Sequence, residues 1–380
     1  MRSDSKGTLR MRLRSERSGS GKYADNTMDK RIVVKIGSNV ISRNGRLDES
    51  VLAHLVDQVV ALRTAGVNVV VVTSGAVAVG REILGKDHPS RTTEERQVLS
   101  AVGQAGLMAR YRDLFSARGL HCAQVLVTKS DFRDRDHYAN MKTCFENLFS
   151  EGIVPIANEN DTVAIKELGF SDNDELAALI GAQLNAEMVV FLSTVDGVLS
   201  KNGGEERVLR KVDAESLKDA MRHVTKERSV SGTGGMENKF KLAKKLMEQG
   251  IVAIIANGAR TNVLTDILDG KDVGTRFVAE KKLSAVKRRL AYAEGLAKGA
   301  VYVDRGAEEM LLSKSFKSLL PVGVTKVEGM FEKGDTIEIR NAAGKRIGSG
   351  VAQYDSRKAS EEAGKKGGKA LVHYDYLFIE

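Results

Sequence analysis

The 380-residue chain has no tryptophan, 5% aromatic residues and two cysteines. So few rings do not make a platform for stacking nucleic-acid bases. Cys122 and Cys144 stand apart and form no C-x-x-C pair. That excludes a thiolate zinc site and a disulfide framework, and it fits a reducing compartment. A run of about 18 apolar residues is missing, so no transmembrane helix and no membrane partner are expected. The arginines near the N-terminus are not followed by an apolar stretch, so they are not a secretory signal. A cytoplasmic protein is the expectation. Three phosphate-handling signatures are absent too. Every Gly-Lys step is followed by something other than Ser or Thr, which excludes a Walker A loop. Gly19-Ser20-Gly21-Lys22-Tyr23-Ala24 matches a dinucleotide pattern by letter, but no strand precedes it. The His-Arg-Asp and Asp-Phe-Gly steps of protein kinases do not occur.

What is present is organised by charge and periodicity. Net charge is +9, and residues 1–27 hold seven Lys/Arg against three Asp/Glu. This polar, Arg/Ser/Gly-rich segment is expected to be a disordered extension, with Met28 as the natural start. The remaining charge is thinly spread, as in a mildly basic enzyme that handles anions. From Arg31 onward, β-branched runs (31–36, 67–72, 124–127, 153–157, 188–192 and 252–256) alternate with helical stretches. The helices are expected at about 49–64, 93–117, 136–149, 174–184 and 236–248. Runs such as Val69-Val70-Val71-Val72 do not alternate with polar residues, as expected of parallel strands buried on both faces. The pattern predicts an α/β sandwich. After a basic connector at 281–297, short strands at 301–303, 323–328, 336–340 and 347–351 predict a small, separate β-rich domain.

Five segments carry candidate chemistry. Lys35 ends the first apolar strand, followed by Gly37-Ser38; ligands of open α/β sheets bind at such carboxyl ends. A lysine snorkelling from a strand end is the alternative. Thr73-Ser74-Gly75 at the next strand end presents N–H groups and a hydroxyl to an anion, or is an ordinary helix cap. Asn158-Glu159-Asn160-Asp161 would bind a substrate amino group, or form a turn. Asp172-Asn173-Asp174 exceeds what one helix cap needs. Asp174 would pair with lysines, or the group would help hold Mg²⁺ through water. Ser231-Gly232-Thr233-Gly234-Gly235-Met236-Glu237-Asn238-Lys239 puts three glycines ahead of an amphipathic helix. Its backbone would wrap a phosphate, and a phosphate would offset the placing of Lys239 in the first helical turn, against the dipole. A flexible linker is the alternative. None of these segments contains a histidine.

In this order the five segments resemble the amino acid kinase family, and the resemblance runs from Met28 to the C-terminus. The tail, with Val303-Asp304-Arg305-Gly306-Ala307 and Ser318-Leu319-Leu320-Pro321-Val322-Gly323-Val324, resembles a PUA domain. The resemblance implies a three-layer αβα sandwich with a mostly parallel sheet at 28–280, a linker at 281–297 and a PUA domain at 298–380. It also implies an enzyme that uses ATP and Mg²⁺ to phosphorylate the side-chain carboxylate of L-glutamate, the first step of proline biosynthesis. By the same resemblance Lys35 and Lys239 contact the ATP phosphates and Asp174 orients them. Ser74, Asp161 and Asn173 hold glutamate. Ser193, Thr194 and the stretch Thr233, Gly234, Gly235, Met236, Glu237, Asn238 and Lys239 lie by the nucleotide. No residue is expected to bind a metal directly. Feedback inhibition by proline, a homo-oligomer and hand-off of product to a glutamyl phosphate reductase are further implications. Where family members often place a lysine just before the Asp-Asn-Asp segment, this chain has Glu167-Leu168-Gly169-Phe170-Ser171, with Lys166 the nearest lysine.

Two rival readings stand beside this one. The first is a related kinase acting on N-acetylglutamate, aspartate, carbamate or UMP. The second is RNA binding through the tail. From Lys298 on, however, the tail carries fourteen Lys/Arg against twelve Asp/Glu, weak charge for a phosphate backbone.

Overall fold

The computed structural model describes residues 30–86, 92–164, 173–202, 205–223, 235–279, 290, 297–313 and 317–379. The segment 1–27 and nearly all of the connector 281–297 lie outside the described residues.

Eight strands form the larger sheet: β1 (Arg31–Ile36), β2 (Asn68–Val72), β3 (Cys122–Val127), β4 (Val154–Glu159), β5 (Met188–Ser193), β6 (Lys211–Val212), β7 (Val252–Asn257) and β8 (Thr275–Phe277). Their spatial order is β6-β8-β7-β5-β1-β2-β4-β3. From β7 to β3 every pairing is parallel; the short strand β8 meets β7 antiparallel and the edge strand β6 parallel. Both faces of the sheet are apolar, which is why its strands do not alternate. Val33, Val70 and Val72 point to one side, with Phe145, Leu176, Ile180, Phe240 and Leu246 packed over them. Those residues belong to helices α4 (Arg135–Ser150), α5 (Asn173–Gln183) and α6 (Met236–Glu248). Val34, Val69 and Val71 point to the other side, under Leu55, Val59, Val79, Leu107, Phe115 and Leu264. These come from α1 (Glu49–Thr64), α2 (Ala76–Leu84), α3 (Thr93–Ser116) and α7 (Val263–Leu268). The result is the three-layer αβα sandwich. Each fully buried Leu, Val or Phe contributes roughly 1.5–3 kcal/mol, so the two faces supply most of the driving force.

Local signals set the element ends. Thr92 caps α3, its hydroxyl accepting from Glu95 N at 3.1 Å. Gly250, with φ +79, ends α6; the N–H of Ile251 returns to Leu246 O at 3.0 Å. Helices α2 and α3 touch backbone to backbone. A Cβ at Gly80 would sit 1.9 Å from Leu99 O, and one at Gly103 would sit 1.7 Å from Ala76 O. Only glycine allows this approach, and it fixes how far α3 reaches over the strand ends.

The tail is a second sheet, β9 (Gly299–Val303), β10 (Val324–Gly329), β11 (Thr336–Arg340), β12 (Arg346–Ala352) and β13 (Val372–Ile379), in the order β10-β9-β11-β12-β13. It has its own apolar cluster around Val301, Val303, Ile337 and Ile339. Strand β13 and helices α8 (Arg305–Leu312) and α9 (Ser356–Glu362) add to what the turn signals had indicated. Among the described residues no helix is long and apolar enough to cross a membrane.

Candidate active site

The carboxyl ends of β1, β2, β4 and β5 converge where β1 sits between β2 and β5. Lys35, one residue before the end of β1, is in register with Val72 of β2 and Phe191 of β5. Its side chain does not snorkel to water: Lys35 is only 6% exposed. The ammonium turns back over Gly37, where an added Cβ would lie 3.8 Å from Lys35 Nζ and 3.2 Å from Leu192 O. A glycine leaves that space free.

Lys35 Nζ meets Asp174 Oδ1 at 2.6 Å, and Lys239 Nζ meets the other oxygen, Oδ2, at 2.9 Å. Asp174 stands in the first turn of α5 and is 0% exposed; Lys239 comes from the start of α6 and is 7% exposed. Three segments far apart in sequence thus place two ammoniums on one buried carboxylate. Burial alone would raise the Asp174 pKa; the Lys35 and Lys239 charges and their hydrogen bonds outweigh it and hold the carboxyl below its ordinary value. The group stays ionised, and the triad keeps one positive charge in excess. Burying such charges is expensive and adds little stability by itself, and the net positive charge suits the arrangement to an anion.

Beside the triad lies a line of side-chain amides. Asn173 Nδ2 donates to Thr73 O at 2.6 Å, to Ser74 Oγ at 3.1 Å and to Asn158 Oδ1 at 2.9 Å. Asn158 Nδ2 donates in turn to Gln104 Oε1 at 2.9 Å, and Asn158 Oδ1 also accepts from Glu159 N. Thr73 Oγ1 shares a 2.8 Å hydrogen bond with Tyr111 Oη, whose pKa burial pushes well up. Gly75, with φ +105, turns the chain from β2 into α2 and brings Ser74 to this line. Asp161 sits at the outer edge. Its Oδ2 accepts from Ser100 Oγ at 2.7 Å, and Arg96 approaches Oδ1 at 3.6 Å.

The structure therefore gathers Lys35, Lys239 and Asp174 in one cluster, with Ser74 and Asn173 in direct contact beside it. The other expected positions are arranged more loosely. Ser193 closes β5 opposite Asn257, and its carbonyl accepts from Gly258 N at 2.8 Å. Thr194 follows it, exposed. Gly235 opens α6, Met236 packs on the apolar cluster under the sheet, and Glu237 pairs with Lys241 at 2.8 Å. Asn238 N returns to Gly235 O. Thr233 and Gly234 lie outside the described residues, as do Asp172 and the Glu167–Ser171 stretch with its neighbouring Lys166. Among the described residues no group of three His, Cys, Asp or Glu could hold a metal ion. Both Asp174 oxygens are engaged by lysines, so they offer no direct ligand to one.

Sequence reasoning missed Asn158 as the joint of the amide line, together with Thr73, Tyr111, Ser100 and Gln104. Asn158 and Thr73 were visible as parts of their candidate segments. Ser100 and Gln104 had no signal, because they stand one turn apart inside an otherwise ordinary helix.

Comparison with known proteins identifies the family. The profile described as the amino acid kinase family matches residues 30–257, and that of the PUA domain matches residues 299–372. A glutamate 5-kinase of Chlorobaculum tepidum is 46% identical over 352 residues, covering 92% of this chain and 97% of that protein. One from Bacteroides thetaiotaomicron is 42% identical over 356 residues, covering 92% and 98%. One from Thermotoga maritima is 38% identical over 360 residues, covering 92% and 99%. This chain belongs to the amino acid kinase family.

Proposed function

We propose that this protein transfers the γ-phosphoryl group of ATP to the side-chain carboxylate of L-glutamate. The product is γ-glutamyl phosphate, and the reaction is the first step of proline biosynthesis. The observation that carries the reading is the buried Lys35–Asp174–Lys239 triad beside a line of polar side chains at the strand ends. Relatives named glutamate 5-kinase over nearly their whole length point to the same substrate.

The chemistry asks little of the protein beyond charge and position. A glutamate side chain has a pKa of about 4.3, so the nucleophile is ionised at neutral pH and needs no general base. The difficulty is bringing an anion up to a polyphosphate. Lys35 and Lys239 would neutralise the transferring group and the leaving oxygen, in the orientation that Asp174 sets. Ser74, Asp161 and Asn173 would hold glutamate, with the Asp161 carboxylate taking its ammonium. Ser193, Thr194 and the stretch from Thr233 to Lys239 would lie along the nucleotide. Mg²⁺ fits this site as a companion of ATP rather than as a protein-held ion. With the Asp174 oxygens occupied, the phosphates themselves would carry it. Its chemistry there would be to spread the phosphate charge.

Further parts of the reading follow from the same assignment. The acyl phosphate hydrolyses readily, so a glutamyl phosphate reductase would take it over quickly. Proline, the end product, would inhibit, and the working form would be a cytoplasmic homo-oligomer.

The test is to incubate the protein with ATP, Mg²⁺ and glutamate in hydroxylamine, which traps the acyl phosphate as a hydroxamate. Glutamate should yield hydroxamate, while N-acetylglutamate and aspartate should yield little. An equal or faster yield from either control would overturn the assignment.

A further inference from the structure

We infer that Gln104 is a positioning residue that sets the hydrogen-bond polarity of the substrate pocket, acting through Asn158 and Asn173 on Ser74. The inference rests on the reading of this pocket as the glutamate site.

Two backbone groups fix the polarity at the ends of the line. The N–H of Glu159 can only donate, so the Asn158 atom 2.9 Å away is its oxygen. The carbonyl of Thr73 can only accept, so the Asn173 atom 2.6 Å away is its nitrogen. Between them Asn158 Oδ1 accepts from Asn173 Nδ2 at 2.9 Å. Asn158 Nδ2 is thereby turned toward α3, where Gln104 Oε1 receives it at 2.9 Å. Gln104 is 8% exposed and Asn158 4% exposed, so bulk water has little access to replace this acceptor.

The far end of the line meets substrate. Ser74 Oγ accepts from Asn173 Nδ2 at 3.1 Å, which leaves the Ser74 hydroxyl hydrogen to be given to an anionic acceptor such as a carboxylate. The two hydrogens on Asn173 Nδ2 are shared among Thr73 O, Ser74 Oγ and Asn158 Oδ1, so the acceptor that Asn173 can offer a ligand is its oxygen, suited to an ammonium. A pocket with one donor for carboxylate and one acceptor for ammonium matches an amino acid. Ser100, one helical turn before Gln104, does the same for the edge of the pocket by donating to Asp161 Oδ2 at 2.7 Å.

Replacing Gln104 with an apolar residue leaves Asn158 Nδ2 facing nothing that accepts. If the Asn158 amide flips to escape, it sets donor against donor at both Glu159 N and Asn173 Nδ2. Either outcome loosens Ser74 and Asn173 without touching Lys35, Lys239 or Asp174.

The experiment is steady-state kinetics of the full chain. Gln104→Leu should raise the KM for glutamate about tenfold or more, the factor that a lost buried hydrogen bond of about 1.4 kcal/mol gives. The KM for ATP should move less than about threefold by the same conversion. Gln104→Met, unbranched and close in volume, carries the same expectation should the leucine variant not fold. In a Ser74→Ala background the added effect of Gln104→Leu should shrink to less than about threefold, because coupled sites are non-additive. An unchanged glutamate KM in Gln104→Leu, or losses that multiply fully in the double variant, would overturn the inference. A wild-type chain that makes no hydroxamate from glutamate would overturn the glutamate reading, and this inference with it.

Discussion

Changing Asp174 to Asn tests the triad most directly, because the substitution keeps the shape and removes only the charge. In the native protein Lys35 and Lys239 lie 2.6 Å and 2.9 Å from the two oxygens of Asp174. Two ammoniums so placed are roughly 5 Å apart, and at an effective dielectric constant of about 20 they repel by about 3 kcal/mol. The carboxylate outweighs that repulsion; an amide does not, and its NH₂ group would face one of the lysines. Removing one member of a buried ion pair costs about 3–5 kcal/mol, which is the expected loss for Asp174→Asn at neutral pH. Lys35→Met should cost clearly less, since it leaves a neutral Lys239–Asp174 pair and no repulsion. The pH dependence follows from the direction of the Asp174 shift. A carboxyl held below its ordinary value contributes stability that is fully present above the unfolded-state pKa of about 3.9. That contribution is lost as pH falls through the lower folded-state value. Wild type should therefore exceed Asp174→Asn by a constant margin from pH 6 to 8, with the gap closing only in acid. Thermal unfolding of the three proteins at several pH values reads all of this. Adding inorganic pyrophosphate should raise the midpoint of Asp174→Asn more than that of wild type, because two uncompensated ammoniums await an anion. If Asp174→Asn proved as stable as Lys35→Met, or turned over at a near-normal rate, the electrostatic account of the triad would fail.

Two other substitutions probe the same site. Lys35→Ala and Lys239→Ala should each lower kcat for hydroxamate formation about a hundredfold or more, the usual consequence of losing a preorganised donor worth roughly 3–4 kcal/mol. Both should remain folded by circular dichroism; near-normal turnover in either would refute the phosphate role. Gly103→Ala puts a methyl 1.7 Å from Ala76 O, so α3 must shift away from α2. The strain should cost about 1–3 kcal/mol in thermal stability. It should also raise the glutamate KM, because Ser100 and Gln104 ride on α3.

The fold was legible for a physical reason. A parallel sheet covered on both faces writes itself as short unbroken apolar runs, and Val69–Val72 is such a run with both faces buried. The strands read from the apolar runs sit within a residue or two of β1, β2, β3, β4, β5 and β7. What escaped was either short or unusual in sign. Strand β6 has two residues and β8 has three, and β8 runs against β7, so neither leaves a periodic trace. In the tail, β13 alternates buried and exposed positions only in part, and its aromatic content did not set it apart as a strand.

The site was legible in a different way, and only up to a point. Lys35, Asp174 and Lys239 each sit where apolar periodicity meets a polar break, and that is visible along the chain. That one carboxylate touches both lysines is not visible, because it depends on β1 lying between β2 and β5, with α5 and α6 starting on the same face. The amide line is further out of reach. Gln104 lies in a helix whose other buried residues, Leu99, Leu107 and Tyr111, declare only a packed face. Its role exists because Gly80 and Gly103 let α3 approach α2 at backbone distance, which lowers Gln104 onto Asn158. Two glycines that look like weak points in their helices thus decide the polarity of a pocket they do not touch. Chemistry carried by a charge at a strand end can be read from sequence; chemistry carried by the direction of an amide needs the packing that points it.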